Sequence, residues 1–287
     1  MIGALDIGGT HVSAARVDPV RASVEAQTRC RIPLPPDGTR SELLERILGA
    51  ARAAGMGVRA WGIAVPGPFD YEHGISRVRH KLEALHGVDL RAELAVAVAV
   101  DPARIRFLND ADAFGLGEWW AGAARGHARA VAITLGTGLG SAFLADGRIV
   151  DTGLDVPPEG SLHLVPFHGR AVEDLISRRG LLARYGDGAV DVEQVAERAR
   201  SGDERAAAAF HEVASGLAEL LAPWLRSFQA TCLVVGGSIA GAWDLIAPAL
   251  GARLAPVESL EVVTVAAHLD DAALLGAARH VAGRLEP

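Results

Sequence analysis

The chain carries the same short design twice. Ile2–Ile7 is an apolar run broken by Asp6, Gly8-Gly9-Thr10 is a tight turn, and Val12–Val17 alternates loosely as a returning strand. Roughly half a chain later, Val131–Leu135 runs into Gly136-Thr137-Gly138-Leu139-Gly140 and returns as Ser141–Leu144. Either turn alone reads as an ordinary hairpin tip, for which Gly-Gly is common. The repetition says more, because it opens two halves of similar plan. Glycines let backbone N–H groups approach a ligand closely and threonine adds a hydroxyl, so two such turns facing each other could hold a polyphosphate from both sides.

Strands alternating with helical runs follow each turn, which predicts an α/β chain. Leu43, Leu44, Ile47, Leu48 and Ala51 have helical spacing, giving a helix Ser41–Ala54 with Ser41 as a candidate N-cap. Ala60–Val65 reads as a strand stopped by Pro66-Gly67-Pro68, a loop of defined shape. Phe69–Lys81 is irregular, with Tyr71, His73, His80 and Lys81, and Leu90–Val98 reads as a helix. Ile105–Leu108 then leads into Asn109-Asp110 and a helix Ala111–Trp119. A carboxylate at such a junction is held still and open on one side, as a catalytic base must be. Asn and Asp are also preferred N-cap residues, so Asp110 taken alone reads better as a cap than as a base.

In the second half, Val150–Gly169 is loop-rich and Ala171–Tyr185 reads as a helix, followed by Val192–Arg200. Asp203 can cap a long helix to Phe228, whose Phe210, Val213, Leu217, Leu220, Leu221, Trp224 and Leu225 form a core stripe. Cys232–Val235 reads as a strand, and Gly236-Gly237-Ser238 turns it into a helix Ile239–Leu250. That turn suits either a ligand at a helix N-terminus or plain close packing. Val262–Ala266 and a helix Asp271–Leu285 close the chain.

Composition narrows the function. The formal charge of -7 and pI near 5.8, without a basic cluster, argue against nucleic acid. Cys30 and Cys232 are the only cysteines and belong to no Cys-x-x-Cys pair, so no zinc site or disulfide framework is expected. No apolar run reaches the ~20 residues of a membrane span, and no signal-like segment opens the chain, so a cytoplasmic protein without membrane contact is expected. There is no G-x-x-x-x-G-K-[ST] loop, and G-T-G-L-G lacks the G-x-G-x-x-G spacing.

Five segments taken in order carry a resemblance. D-I-G-G-T at 6–10, V-P-G-P at 65–68, N-D-A at 109–111, L-G-T-G-L-G at 135–140 and V-G-G-S at 235–238 resemble the ROK family of sugar kinases and regulators, over nearly the whole chain. The resemblance implies the actin-like, ribonuclease-H-like ATPase fold, with two α/β domains and a cleft between them. We expect an N-terminal domain 1–108, completed by 271–287, and a C-terminal domain 109–270. The implied activity is ATP-dependent phosphorylation of a hexose hydroxyl, usually on carbon 6, with domain closure excluding water.

By the same resemblance, Asp110 is the catalytic base and Asn109 a sugar ligand, with Gly67 in the sugar wall. Asp6, Gly8, Gly9 and Thr10 match the first phosphate motif, and Gly136, Thr137 and Gly138 the second. Gly236, Gly237 and Ser238 match the adenosine motif. Asp6 would orient Mg²⁺, through water or directly. A homodimer is in keeping with the family.

The chain departs from the pattern at several points. The family's zinc-binding cysteine cluster is missing, so zinc is not expected. Glu159 stands four residues before His163 where relatives have a three-residue spacing; both are candidate sugar contacts. His11 replaces a common lysine beside the first phosphate turn. Lys81, the only lysine, stands where relatives carry a sugar-proximal Asn. It reads equally as a ligand for sugar hydroxyls or as a solvated surface residue.

Two alternatives accompany the kinase reading. One is a sugar-binding sensor without useful turnover; the family's DNA-binding repressors carry an added N-terminal domain, for which there is no room before Asp6. The other is a kinase using polyphosphate, which calls for a basic track that the sequence does not display.

Overall fold

The structure is a computed structural model describing residues 1–55, 57–79, 82–187 and 190–283. In chain order the strands are β1 (Ile2–Ile7), β2 (His11–Asp18), β3 (Ser23–Val24), β4 (Cys30–Pro33), β5 (Trp61–Val65), β6 (Phe69–Asp70), β7 (Ile75–Ser76), β8 (Ile105–Asn109), β9 (Arg129–Leu135), β10 (Leu139–Ala145), β11 (Arg148–Ile149), β12 (Cys232–Gly236) and β13 (Val262–Val265). The α-helices are α1 (Arg40–Ala54), α2 (Leu90–Val98), α3 (Asp110–Ala121), α4 (Arg178–Tyr185), α5 (Val192–Arg200), α6 (Glu204–Phe228), α7 (Trp243–Leu254) and α8 (Ala272–Ala282).

The chain divides into two compact units, Met1–Ala121 with Asp270–Pro287, and Gly122–Leu269. The division falls after α3, not at Asn109. Helix α3 packs along α8 and therefore stays with the first unit.

In the first unit the sheet order is β3-β2-β1-β5-β8, with β4 also paired to β2. Strands β1 and β2 form the antiparallel hairpin, whereas β1, β5 and β8 are parallel neighbours. Leu5, Ile7, Leu43, Ile47 and Ile63 join α1 to one face. Ile2, Ala4, Leu274, Leu275 and Ala278 join α8 to the other. Glycines let backbones meet on that side. A Cβ on Gly62 would overlap the Ala277 carbonyl, one on Gly117 the Ala272 carbonyl, and one on Gly276 the Ala113 carbonyl.

The second unit repeats the scheme, with sheet order β11-β10-β9-β12-β13. Strands β9 and β10 form the hairpin; β9, β12 and β13 are parallel. The duplication read from the sequence is thus a duplication of topology. The stripe on α6 is core, with Phe210, Val213, Leu217, Leu220, Leu221 and Leu225 buried and Trp224 partly so.

Three local expectations are corrected. Helix α1 is capped by Thr39: its Oγ1 accepts from the Glu42 amide while the Glu42 carboxylate accepts from the Thr39 amide at 2.9 Å. This capping box leaves Ser41 inside the helix. Residues 171–177 are not α-helical; a 3₁₀ turn, Val172–Asp174, precedes α4, which Ser177 caps. Ser238–Ala242 is likewise 3₁₀, so α7 starts at Trp243 and Gly-Gly-Ser does not open an α-helix directly. Among the described residues no helix is long and apolar enough to cross a membrane.

Candidate active site

In the first unit three of the segments meet at one sheet edge. Parallel pairing aligns Asp6 with Ala64, Ala64 with Leu108, and Val65 with Asn109. Asp6, the Pro66–Pro68 loop and Asn109-Asp110 therefore all lie at the carboxyl ends of β1, β5 and β8. Ligands of open α/β sheets bind there, because the loops leaving adjacent strands diverge and leave a crevice.

At the junction of β8 and α3 the capping role falls to one of the two residues. Asn109 is the cap: its Oδ1 accepts from the Ala111 amide at 2.9 Å and from the Asp112 amide at 3.4 Å. Asp110 is the first helical residue, and its Oδ1 shares the Ala111 amide at 3.0 Å. Both are half-buried. The helix start favours an ionised carboxylate at this position.

Asp6 lies within the field of Asp110. Its carboxyl is pushed up from the ordinary 3.8 to about 7, first by burial and second by the charge of Asp110, with Arg31 partly opposing. The physical cause is two carboxylates in one poorly solvated place, where ionising the second costs more than ionising the first. Carboxylates are ligands that Mg²⁺ accepts, since it is commonly held by one or two of them together with substrate oxygens and water.

The first turn is closed by the Gly8 amide donating to the His11 carbonyl at 2.9 Å, with Gly9 and Thr10 at its tip. Thr10 Oγ1 lies 3.2 Å and Arg31 Nη2 3.5 Å from His11 Nδ1. An arginine only donates, so the Arg31 contact is a hydrogen bond when Nδ1 of His11 is unprotonated. Burial and the Arg31 charge both hold its pKa below the ordinary value, with Asp270 partly opposing. Arg31 was not singled out from the sequence. Register reveals it, since Ser13 on β2 is opposite both Asp6 and Arg31.

Gly67 is exposed, and the Gly67–Pro68 peptide is cis. The hydroxyl of Tyr71, a residue given no role in the sequence reading, lies 3.6 Å from where a Gly67 Cβ would stand. Lys81 falls outside the described residues.

In the second unit the two glycine turns adjoin, because Gly236 on β12 is in register with Thr134 on β9. A Cβ on Gly136 would come 3.3 Å from Ser238 Oγ, and one on Gly237, whose φ is +84°, would overlap the Leu135 carbonyl. Thr137 and Ser238 are exposed. Glu173, another residue without a sequence signal, accepts from the Leu139 amide at 3.1 Å and packs against Gly138. Glu159 and His163 are exposed, on either side of the fully buried Leu162. Ser141 ties their loop to β10, donating to the Gly160 carbonyl at 2.8 Å and accepting from the Leu162 amide at 2.9 Å.

The first unit thus carries a pair of carboxylates at the carboxyl ends of its parallel strands, and the second unit carries two adjoining glycine turns. The chain belongs to the ROK family, whose model matches residues 2–283. It is 29% identical over 315 aligned residues to a glucokinase of Thermotoga maritima, covering 98% of this chain and 97% of that one. An N-acetyl-D-glucosamine kinase of Pectobacterium atrosepticum is 27% identical, over 95% and 96% of the two chains. The crystal structure of the ROK hexokinase from Thermus thermophilus superposes with a TM-score of 0.78 at 25% identity, covering 99% of each chain. The fold is therefore the α/β fold of the ROK sugar kinases, the actin-like ATPase fold.

Proposed function

We propose that this protein is an ATP-dependent sugar kinase that phosphorylates a hexose hydroxyl, the 6-OH of glucose or a close relative, with Asp110 as general base. The observation that carries the reading is the convergence of Asp6, the Gly67 loop and Asn109-Asp110 at the carboxyl edge of one parallel sheet. Full-length similarity to proteins named glucokinase and N-acetyl-D-glucosamine kinase supports the same class.

A primary alcohol is a poor nucleophile at neutral pH. Asp110 accepts its proton as the new phosphorus–oxygen bond forms, and the γ-phosphoryl group leaves ADP. Asn109 orients the hydroxyl, and Gly67 leaves room for the ring. In the first unit the amides of residues 8–10 are the candidate phosphate donors; in the second, those of residues 136–138 are, with Gly236, Gly237 and Ser238 as candidate neighbours of the adenosine. Asp6 would hold Mg²⁺, directly or through water, and the ion would neutralise phosphate charge. His11, being neutral, contributes a hydrogen bond and not a charge. Glu159, His163 and Lys81 are candidate contacts for the sugar's remaining hydroxyls.

A coupled ADP-release assay over glucose, mannose, fructose, N-acetylglucosamine and N-acetylmannosamine tests the reading. ATP-dependent turnover of at least one is expected, and none with any of the five overturns it.

A further inference from the structure

Tyr71 lies outside every segment that carries the family resemblance, yet its side chain joins two of them. The hydroxyl donates to the Val65 carbonyl at 3.3 Å, at the start of the Pro66–Pro68 loop, and accepts from Asn109 Nδ2 at 3.2 Å. A phenol has one proton, so a hydroxyl that gives it to Val65 can only accept from Asn109. Burial holds the phenol pKa well above its ordinary value, which keeps that proton in place. The ring is held too. It lies 5.3 Å from Phe69, which is 5.1 Å from Phe107 on β8, and the Tyr71 carbonyl accepts from Arg91 at 3.5 Å.

The consequence falls on Asn109. Its Oδ1 is committed to the amides that start α3. Its nitrogen has two N–H donors, and Tyr71 takes one. With oxygen and one donor tied, the amide plane cannot rotate, so the direction of the second N–H is set. The neighbouring Asp110 is set by the same helix start. A hydroxyl meeting this pair would receive a hydrogen bond from Asn109 and give one to Asp110, which is the polarity a proton-accepting base requires.

We propose that Tyr71 is a positioning residue for the phosphoryl acceptor, acting through the Asn109 amide to hold the donor and Asp110 at one hydroxyl. The inference rests on the sugar-kinase reading and deepens it. Tyr71→Phe removes one hydroxyl and keeps the ring against Phe69. Asn109→Ser retains a good N-cap and is too short to reach Tyr71.

The experiment measures KM for hexose and for ATP, kcat, ATP-free hexose binding by calorimetry, and melting temperature for wild type, both variants and the double variant. Tyr71→Phe is expected to weaken hexose KM and hexose binding about ten-fold and lower kcat, with ATP KM unchanged. Its effect should vanish in the Asn109→Ser background, since a group acting through another adds nothing once that other is gone. Unchanged hexose binding, an equal rise in both KM values, or additive losses in the double variant overturn the proposal while leaving the kinase reading intact. If Asp110→Asn keeps full turnover, the base assignment fails, and hexose binding still decides the role of Tyr71. If the wild-type protein neither binds nor phosphorylates any hexose, both readings fall.

Discussion

The raised pKa of Asp6 makes stability depend on pH in an unusual direction. The unfolded chain releases this proton near the ordinary 3.8, and the folded chain near 7. Between those values the folded state holds more protons, so this group makes the fold less stable as pH rises through the window, with no further change above it. The span of roughly 3 pH units sets a ceiling of about 4 kcal/mol at about 1.4 kcal/mol each. Asp6 is half-buried, and partial solvent access reduces the expectation to about 2 kcal/mol. Asp6→Asn keeps the shape and removes the ionisation. Without divalent metal, the variant should match wild type near pH 4 and exceed it by about 2 kcal/mol at pH 8. Hydrogen exchange of β1 and β5 amides reads this locally, which avoids assuming that both units unfold together. Mg²⁺ should restore wild-type stability at pH 8, and its affinity should rise about ten-fold per pH unit below 7, because the ion must displace the proton. Parallel pH dependences for wild type and Asp6→Asn between pH 4 and 8 would refute the argument.

Other expectations follow from the same geometry. Asp110→Asn should lower kcat by several orders of magnitude with hexose binding still measurable by calorimetry; a near-wild-type rate would leave Asp110 as a structural residue at the helix start. Arg31→Gln removes a charge that lowers the Asp6 pKa, so the acid limb of the kcat/KM profile should move to higher pH; an unmoved limb would mean that Asp6 ionisation does not control the rate. Gly276→Ala puts a methyl group into the Ala113 carbonyl and should cost about 3 kcal/mol or more in denaturant titration, through the fold and not the chemistry. Gly237→Ala combines a positive φ with overlap on Leu135 and should weaken ATP binding, read by titration calorimetry, more than hexose binding.

The parts of the candidate site that are local could be read before folding. Gly8-Gly9-Thr10 and Gly136-Thr137-Gly138 are turns whatever surrounds them, and a strand running into Asn-Asp and a helix is a local signal. The periodicity of α6 announced its buried face. Errors came where two local readings competed. Thr39 and Ser41 are both capable caps, and only the reciprocal bond with Glu42 selects Thr39. Asn109 and Asp110 are both capable caps, and the backbone at the end of β8 gives the role to Asn109. Ala171–Ile176 has residues that tolerate a helix, but Ser177 in extended geometry starts α4 two residues later than that segment ends.

What the sequence determined by itself is the plan: two copies of strand, glycine turn and strand, the parallel strands that follow each, and the residue types able to accept a proton or approach a phosphate. These depend on φ/ψ preference and on hydrophobic period, which neighbours in sequence set. The tertiary structure decided which of those residues act on one another. Asp6 and Asp110 are over a hundred positions apart in sequence, and their coupling exists only because β1, β5 and β8 are parallel neighbours ending together. Arg31 reaches the first turn through the register of β4 on β2, Tyr71 reaches Asn109 from the turn joining β6 to β7, and Glu173 finds the Leu139 amide from the 3₁₀ turn Val172–Asp174. Electrostatic coupling and hydrogen bonding act over a few ångströms of space, and distance along the chain carries no record of that.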